Sequence, residues 1–401
     1  MKKKVIAILM SAAMMITMLA GCGSAAADEK GADNAQTESE QPVEETDAKE
    51  EESVQSAGTR KIGVILYGKD DTMGAAVYSY LNFAAEAMDV DLTWAFGDYD
   101  AAAQLTTCQN MVAAGCEGIL MMPMDNAAVQ QVAAYCEQNQ VYFGLMFRDI
   151  TDDTIKTTVE GYEYYVVDGF ENDELYAQRM VEYMAEEYGV SNFGEMSLYA
   201  SSPLVARNNG FESGFESTDA VKLAEFPFPT DSSTQTIAAE IENFINSYQD
   251  MDAIVLGASS VGAGETVMNT LSTMTEPGAV KVGTFDAFEG MDEAFESGYL
   301  VYVAGGVGIE SLFDFVVLYN AVDGTPLSDD LVVLNMSEIE VKSAQDCKNY
   351  SQYIDNPDHQ IFTAEEIRNM CRRYNPDATL EDIQSYIDQY SLEWVVERAA
   401  Q

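Results

Sequence analysis

Residues 118–136, "GILMMPMDNAAVQQVAAYC", decide how this chain is read. From Gly118 to Met122 every position is apolar, so a strand here has no solvent face and belongs inside a parallel sheet covered on both sides. Pro123 ends the run, Asp125 and Asn126 follow, and an Ala/Val/Gln stretch at helical spacing begins. Asp125 therefore stands where a strand stops and a helix starts. In open α/β sheets that edge is where ligands bind. The plain alternative is an N-cap or an Asx turn, because Asp and Asn commonly precede helices.

The same alternation extends in both directions. "KIGVILY", "VDLTWAF", "GILMMP" and "QVYFGLMF" read as strands with helical stretches between them, up to Phe147. A mixed segment, "DITDDTIKTTVEGYEYYVVDGF", interrupts the pattern. It resumes with strands at "FGEMSLYA", "AVKLAEFPF", "MDAIVLGAS", "AVKVGTFD" and "LVYVAGG", then the helix "IESLFDFVVLYNAV" and a last strand "LVVLNMSEIEV". Repeated βαβ units imply parallel sheets with helices on both faces, and two comparable units in sequence imply two lobes. Strand ends in both halves carry polar groups: Asp70 and Asp71, Asp125, Arg148 and Asp149, Arg207, Ser259 and Ser260, and Asp286. One polar strand end is a turn. Most strand ends together indicate a cleft between facing edges.

The N-terminus carries its own signal. "MKKK" is a basic n-region, "VIAILMSAAMMITM" is an apolar stretch short for a membrane span, and "LAGC" closes it. "LAGC" resembles the lipobox of bacterial lipoproteins, which implies removal of residues 1–21 and lipid attachment at Cys22. Acyl chains anchor through roughly 0.8 kcal/mol per buried CH₂. Residues 22–59 hold many Glu and Asp and hardly any large apolar side chains, so they read as an acidic disordered tether. The 401 residues bear a formal charge of −48, which disfavours nucleic acid and anionic surfaces as partners. The remaining cysteines, Cys108, Cys116, Cys136, Cys347 and Cys371, form no CxxC or zinc spacing, so they read as buried small hydrophobes by default, while an exported protein also permits a disulfide that the sequence does not pair.

Enzyme motifs are absent. No GxGxxG follows the first strand, and GxxxxGK[ST], GxSxG and HExxH do not occur. Ser259 lacks a base, since the single histidine, His359, lies in the C-terminal segment. No catalytic residue, metal or cofactor is assigned.

Residues 61–341 resemble the type I periplasmic binding proteins, in particular the ribose-like sugar-binding lipoproteins that feed ABC importers. The ordered motifs are "IGVILYGKDDTMGAAVYSYLNFAAEAMDV", "GCEGILMMPMDNAAV", "VYFGLMFRD", "ARNNGFESGFE", "DMDAIVLGASSVGAGETV" and "VKVGTFDAFEGMDEAFESGYL". The resemblance implies two doubly wound parallel-sheet α/β lobes joined by three crossings, near Val166–Gly169, near Tyr302–Gly306 and within Val332–Val341. Residues 60–166 with 306–331 then form the N-terminal lobe, residues 167–305 with 332–341 the C-terminal lobe, and residues 342–401 a helical extension. That extension carries a Thr363/Glu366 capping box and is expected to pack outside the lobes.

By the same resemblance, Asp71, Met73, Asp125, Arg148, Arg207, Ser259 and Asp286 stand at ligand-contacting positions. The chain departs from the family pattern in places. It has Asp71-Thr72-Met73-Gly74 for Asn-Pro-aromatic-aromatic, Ala258-Ser259 for Asn-Asp, and Gly305-Gly306 near the usual glutamine. Phe147, Phe170, Phe228 and Tyr302 are available to replace the missing rings, or they belong to the core. The implied function is a monomeric, lipid-anchored, extracytoplasmic protein on the outer face of the cytoplasmic membrane. It would capture a small polar ligand, a sugar or sugar-like molecule, and hand it to an ABC permease. The alternative is a ligand-sensing subunit that signals to a membrane kinase or receptor.

Overall fold

The computed structural model describes residues 58–97, 100–229, 232–259 and 262–400. The signal segment, Cys22 and nearly all of the tether lie outside the described residues. The first lobe starts with β1 (Arg60–Leu66), α1 (Thr72–Met88), β2 (Val90–Phe96), α2 (Ala101–Ala113) and β3 (Gly118–Met121). It continues with α3 (Asn126–Asn139), β4 (Tyr142–Leu145), α4 (Asp153–Val159) and β5 (Tyr165–Glu171). The second lobe follows with α5 (Asp173–Tyr188), β6 (Asn192–Ser197), α6 (Ser202–Thr218), β7 (Val221–Pro227) and α7 (Thr234–Ser247). Next come β8 (Ala253–Leu256), α8 (Ala263–Met274), β9 (Lys281–Phe285), α9 (Met291–Glu296) and β10 (Leu300–Gly305). The chain returns to the first lobe through α10 (Glu310–Val322) and β11 (Val332–Met336), then adds β12 (Ile339–Val341) to the second. The extension contributes α11 (Ala344–Tyr353), α12 (Ala364–Asn369), α13 (Leu380–Gln389) and α14 (Leu392–Ala399).

Two six-stranded sheets result, ordered β11-β5-β4-β3-β1-β2 and β12-β10-β9-β8-β6-β7. All pairings are parallel except β10 with β12. As its sequence requires, β3 is buried at every position, between β1 and β4. The thiols of Cys108 on α2 and Cys136 on α3 are free and buried, with their sulfurs 3.6 Å apart.

The lobe boundaries differ from the sequence expectation at two crossings. Residues 167–171 were expected in the second lobe, but they complete β5 in the first sheet. The crossing therefore falls at Asn172. Asp168 and Gly169 look like a break because such residues usually mark turns. Here α10 approaches so closely that a Cβ on Gly169 would sit 2.2 Å from Asp314 Oδ1, so only glycine fits. The last strand also divides: β11 pairs with β5 in the first sheet, and only β12 joins the second. The remaining crossing turns at Gly306, whose φ of 78° suits a residue without a side chain.

Every residue of α10 is buried, including Glu310, Ser311, Asp314 and Asn320 among its predominantly apolar side chains. The extension supplies part of its cover. Phe313 packs edge-on to Phe362 at 5.6 Å, and Asn320 donates to the Met370 carbonyl. Thr363 and Glu366 form the expected capping box, and Glu366 also pairs with Arg398 at 2.7 Å. The extension packs against both lobes: α12 lies on α1, while α11 lies on α9 and β12.

Candidate functional site

The C-terminal ends of the strands border an inter-lobe cleft with two cavities. The larger, about 620 Å³, is lined by residues following β3, β4, β5 and β6, and by the first turns of α5 and α6. The smaller, about 330 Å³, is lined by residues following β1, β9 and β10. The extension also reaches it through Tyr350, Ile354 and Asp355, which the expectation of purely external packing had not foreseen.

Of the residues singled out from sequence, Asp125 and Arg148 line the larger cavity. Asp125 is the N-cap of α3, and its Oδ1 accepts from the Ala128 amide at 2.7 Å. The plain reading of its position is therefore realised even though it borders the cleft. Arg148 is half-buried and donates through Nη1 to the Pro123 carbonyl at 3.0 Å. Asp71, Met73 and Asp286 line the smaller cavity. Asp71 caps α1 through the Gly74 amide and also accepts from the Tyr67 hydroxyl at 2.7 Å.

Arg207 and Ser259 line neither cavity; both are buried behind the wall. Arg207 was expected at a ligand-contacting position, but its guanidinium is engaged inside the second lobe. Nε donates to Asp173 Oδ1 at 2.5 Å, and Nη1 donates to the Gly257 carbonyl at 3.0 Å and Asp286 Oδ2 at 3.3 Å. The guanidinium also lies 4.1 Å from the centre of the Phe285 ring. Burial would lower its pKa, but Asp173 and Asp286 more than reverse this and hold it above its ordinary value. Ser259 Oγ donates to the backbone carbonyl of Asp286 at 2.6 Å, which helps fix that residue at a φ of 65°.

Phe147, two residues after the end of β4, is also left-handed, with φ of 68°. A bulky side chain there is strained, and such strain concentrates at functional sites. Its amide donates to Glu310 Oε1 at 2.6 Å, which holds the turn. Phe147 and Phe170 line the larger cavity, whereas Phe228 and Tyr302 are buried in the core.

Sequence reasoning missed a group of buried carboxylates at the crossings: Glu171, Asp173, Glu310, Asp314 and Glu338. Burial, reinforced by mutual repulsion, holds Glu171, Glu310, Asp314 and Glu338 well above the usual carboxylate range. Burial also raises Asp173, although the Arg207 guanidinium opposes the shift. Asp355 is pushed up to about 7 by burial and by Asp286. A signal was available for two of them. Glu310 and Asp314 lie one turn apart in a helix otherwise dominated by apolar residues, so they had to be buried with it.

Among the described residues one set of acidic groups could surround a single ion, namely Glu195, Glu212 and Glu225. Lys222 pairs with all three.

A family model described as periplasmic binding protein domain matches residues 62–306. No curated protein matches the sequence. Among solved structures, an ABC transporter solute-binding protein from Bacillus halodurans with bound myo-inositol is 15% identical with a TM-score of 0.61, over 74% of this chain and 99% of that one. One from Actinobacillus succinogenes with bound D-allose is 13% identical with a TM-score of 0.62, over 73% of this chain and all (100%) of that one. A periplasmic ribose ABC transporter structure from Conexibacter woesei is 14% identical with a TM-score of 0.62, covering 74% and 95%. At these identities the likeness is one of fold.

Proposed function

The chain belongs to the periplasmic binding protein family, and from that premise we propose that it is a lipid-anchored solute-binding protein. It captures one small polar ligand, a sugar or sugar-like molecule, between its lobes and delivers it to an ABC importer. The fold is that of type I periplasmic solute-binding proteins, whose family binds ligands and performs no catalysis. The observation that carries the reading is the larger cavity. It is walled by strand ends of both sheets, so a ligand inside touches both lobes at once. Binding then favours the closed arrangement, because only that arrangement offers every contact.

Similar folds with bound myo-inositol and D-allose support a polyhydroxylated ligand. Asp125 and Arg148 border the chamber directly. Asp173 does so with Arg207 behind it, and Asp71, Met73 and Asp286 edge the far end of the cleft. The basic leader, short apolar run and "LAGC" support a reading in which Cys22 carries the lipid and the folded part lies on the outer face of the cytoplasmic membrane.

A thermal-shift screen of the chain against sugars, sugar acids, polyols and nucleosides tests the binding claim. A saturable stabiliser that is lost in the plugged variant Ser202→Trp is the expected result. Stabilisation that survives the plug would place the site elsewhere. Crosslinking in membranes should then recover an ABC permease, and recovery of a histidine kinase instead would assign a sensing role.

A further inference from the structure

The charge lining the larger cavity is lopsided. Among the described residues, Asp125, Asp149, Glu171, Asp173 and Glu174 line it against Arg148 as the sole basic lining residue. Three of these acids have partners close by. Asp125 caps α3, Asp149 pairs with Lys156 at 2.8 Å, and Asp173 pairs with Arg207. Glu171 is different. It is only 8% exposed, and among the described residues its Oε2 has no hydrogen-bond partner. Two further buried carboxylates, Glu310 and Glu338, crowd it from behind, and each also has an unpartnered oxygen among the described residues; burial and this crowding outweigh the pull of Arg207 and Arg148 and favour the neutral form of Glu171. A buried carboxylate that nearby guanidiniums compensate only in part is costly to ionise, so an ammonium group entering the chamber is favoured because it lets Glu171 carry its charge.

Two other features of the same cavity fit a cation on a hydrophilic body. Phe170 and Tyr199 line it, and aromatic faces attract ammonium groups. The first turn of α6 also lines it, and neither Ser201 nor another side chain caps that helix, so backbone N–H groups there can meet ligand oxygens. Resting on the cleft reading above, we infer that the ligand carries an ammonium group that faces Glu171 while its oxygens meet the start of α6. Amino sugars and amino acids both have this chemistry.

Calorimetry on the whole chain at pH 7.5 with matched probes tests the inference. D-glucosamine is compared with D-glucose, D-galactosamine with D-galactose, and L-alanine and L-lysine form a separate arm. At least one ammonium probe should bind, and an amino sugar that binds should do so about tenfold more tightly than its neutral partner. The advantage should shrink in high salt and vanish in Glu171→Gln. Glu174→Gln, on the exposed rim, should reduce it partially and serves as the informative variant if Glu171→Gln does not fold. Binding confined to the amino-acid arm would identify that source. Equal or tighter binding of the neutral sugars, an advantage that persists in both variants, or no binding by any ammonium probe would overturn the inference. A neutral sugar whose binding is lost in Ser202→Trp would still leave the cleft reading standing. Probe binding that survives Ser202→Trp would sink both.

Discussion

Each of the first-lobe helices α1, α2, α3 and α4 begins at an aspartate, Asp71, Asp100, Asp125 and Asp152, whose side chain accepts from a backbone amide of the first turn. Of the second-lobe helices α5 to α9, only α7 has such a cap, from Ser233; α5, α6, α8 and α9 have none. The first lobe thus meets its strand-edge polar groups locally. In the second lobe, charge is held in the chain Asp173–Arg207–Asp286, whose first two members are buried, and the N-cap side chains of α5 and α6, Asn172 and Ser201, border the larger cavity without a capping bond. A polar residue at a strand end indicates a ligand contact only when the helix it precedes does not use it. Asp125 and Asn172 look alike in sequence and differ in that respect.

The comparison breaks most visibly at Arg207. Removing one member of a buried ion pair leaves the others uncompensated and typically costs about 3–5 kcal/mol. Arg207→Met is therefore expected to destabilise the fold by that amount in urea denaturation. A loss below about 1 kcal/mol would mean that the network does not hold the second-lobe edge.

A smaller effect comes from the unpaired carboxylates. Asp314 is fully buried, and neither of its oxygens has a partner among the described residues. Burial holds it well above the ordinary range, and burial with neighbouring Asp149 pushes Asp168 to about 7. For a group whose folded pKa is raised, the unfolded chain ionises first as pH increases. The associated stability is full below the unfolded pKa and is lost as pH climbs to the folded value. Between about pH 4 and 7, melting temperature should therefore fall as pH rises. Asp314→Asn should raise the melting temperature at pH 8 by a few degrees and flatten that slope. A melting curve that instead gains stability from pH 5 to 8, with no change in the variant, would refute the assignment.

The fold was legible where one physical demand acted on each segment. The continuous apolar run of β3 could only be a buried strand, and the alternation around it could only form parallel sheets. Legibility failed where tertiary contacts reversed a local signal. Asp168-Gly169 resembles a break, yet Gly169 is needed for the approach of α10, and Asp168 is buried within the strand. "LVVLNMSEIEV" reads as one strand, but its halves pair in different sheets, which no local pattern records. At the site, strand-end charges were visible as residue types, but whether a helix uses them depends on cap geometry. The walls formed by Glu171 and by Tyr350 and Asp355 come from segments with no motif.

The most direct measurement is calorimetric titration of the best ligand from the screen into Asn172→Ala and Asp125→Ala, with melting temperatures recorded beside it. The account predicts that Asn172→Ala loses a neutral hydrogen bond and weakens binding about three- to tenfold with little change in melting temperature. Asp125→Ala should hold affinity within about threefold while losing roughly 0.5–2 kcal/mol of stability as α3 loses its cap. The reverse outcome, with affinity lost in Asp125→Ala and unchanged in Asn172→Ala, would contradict it.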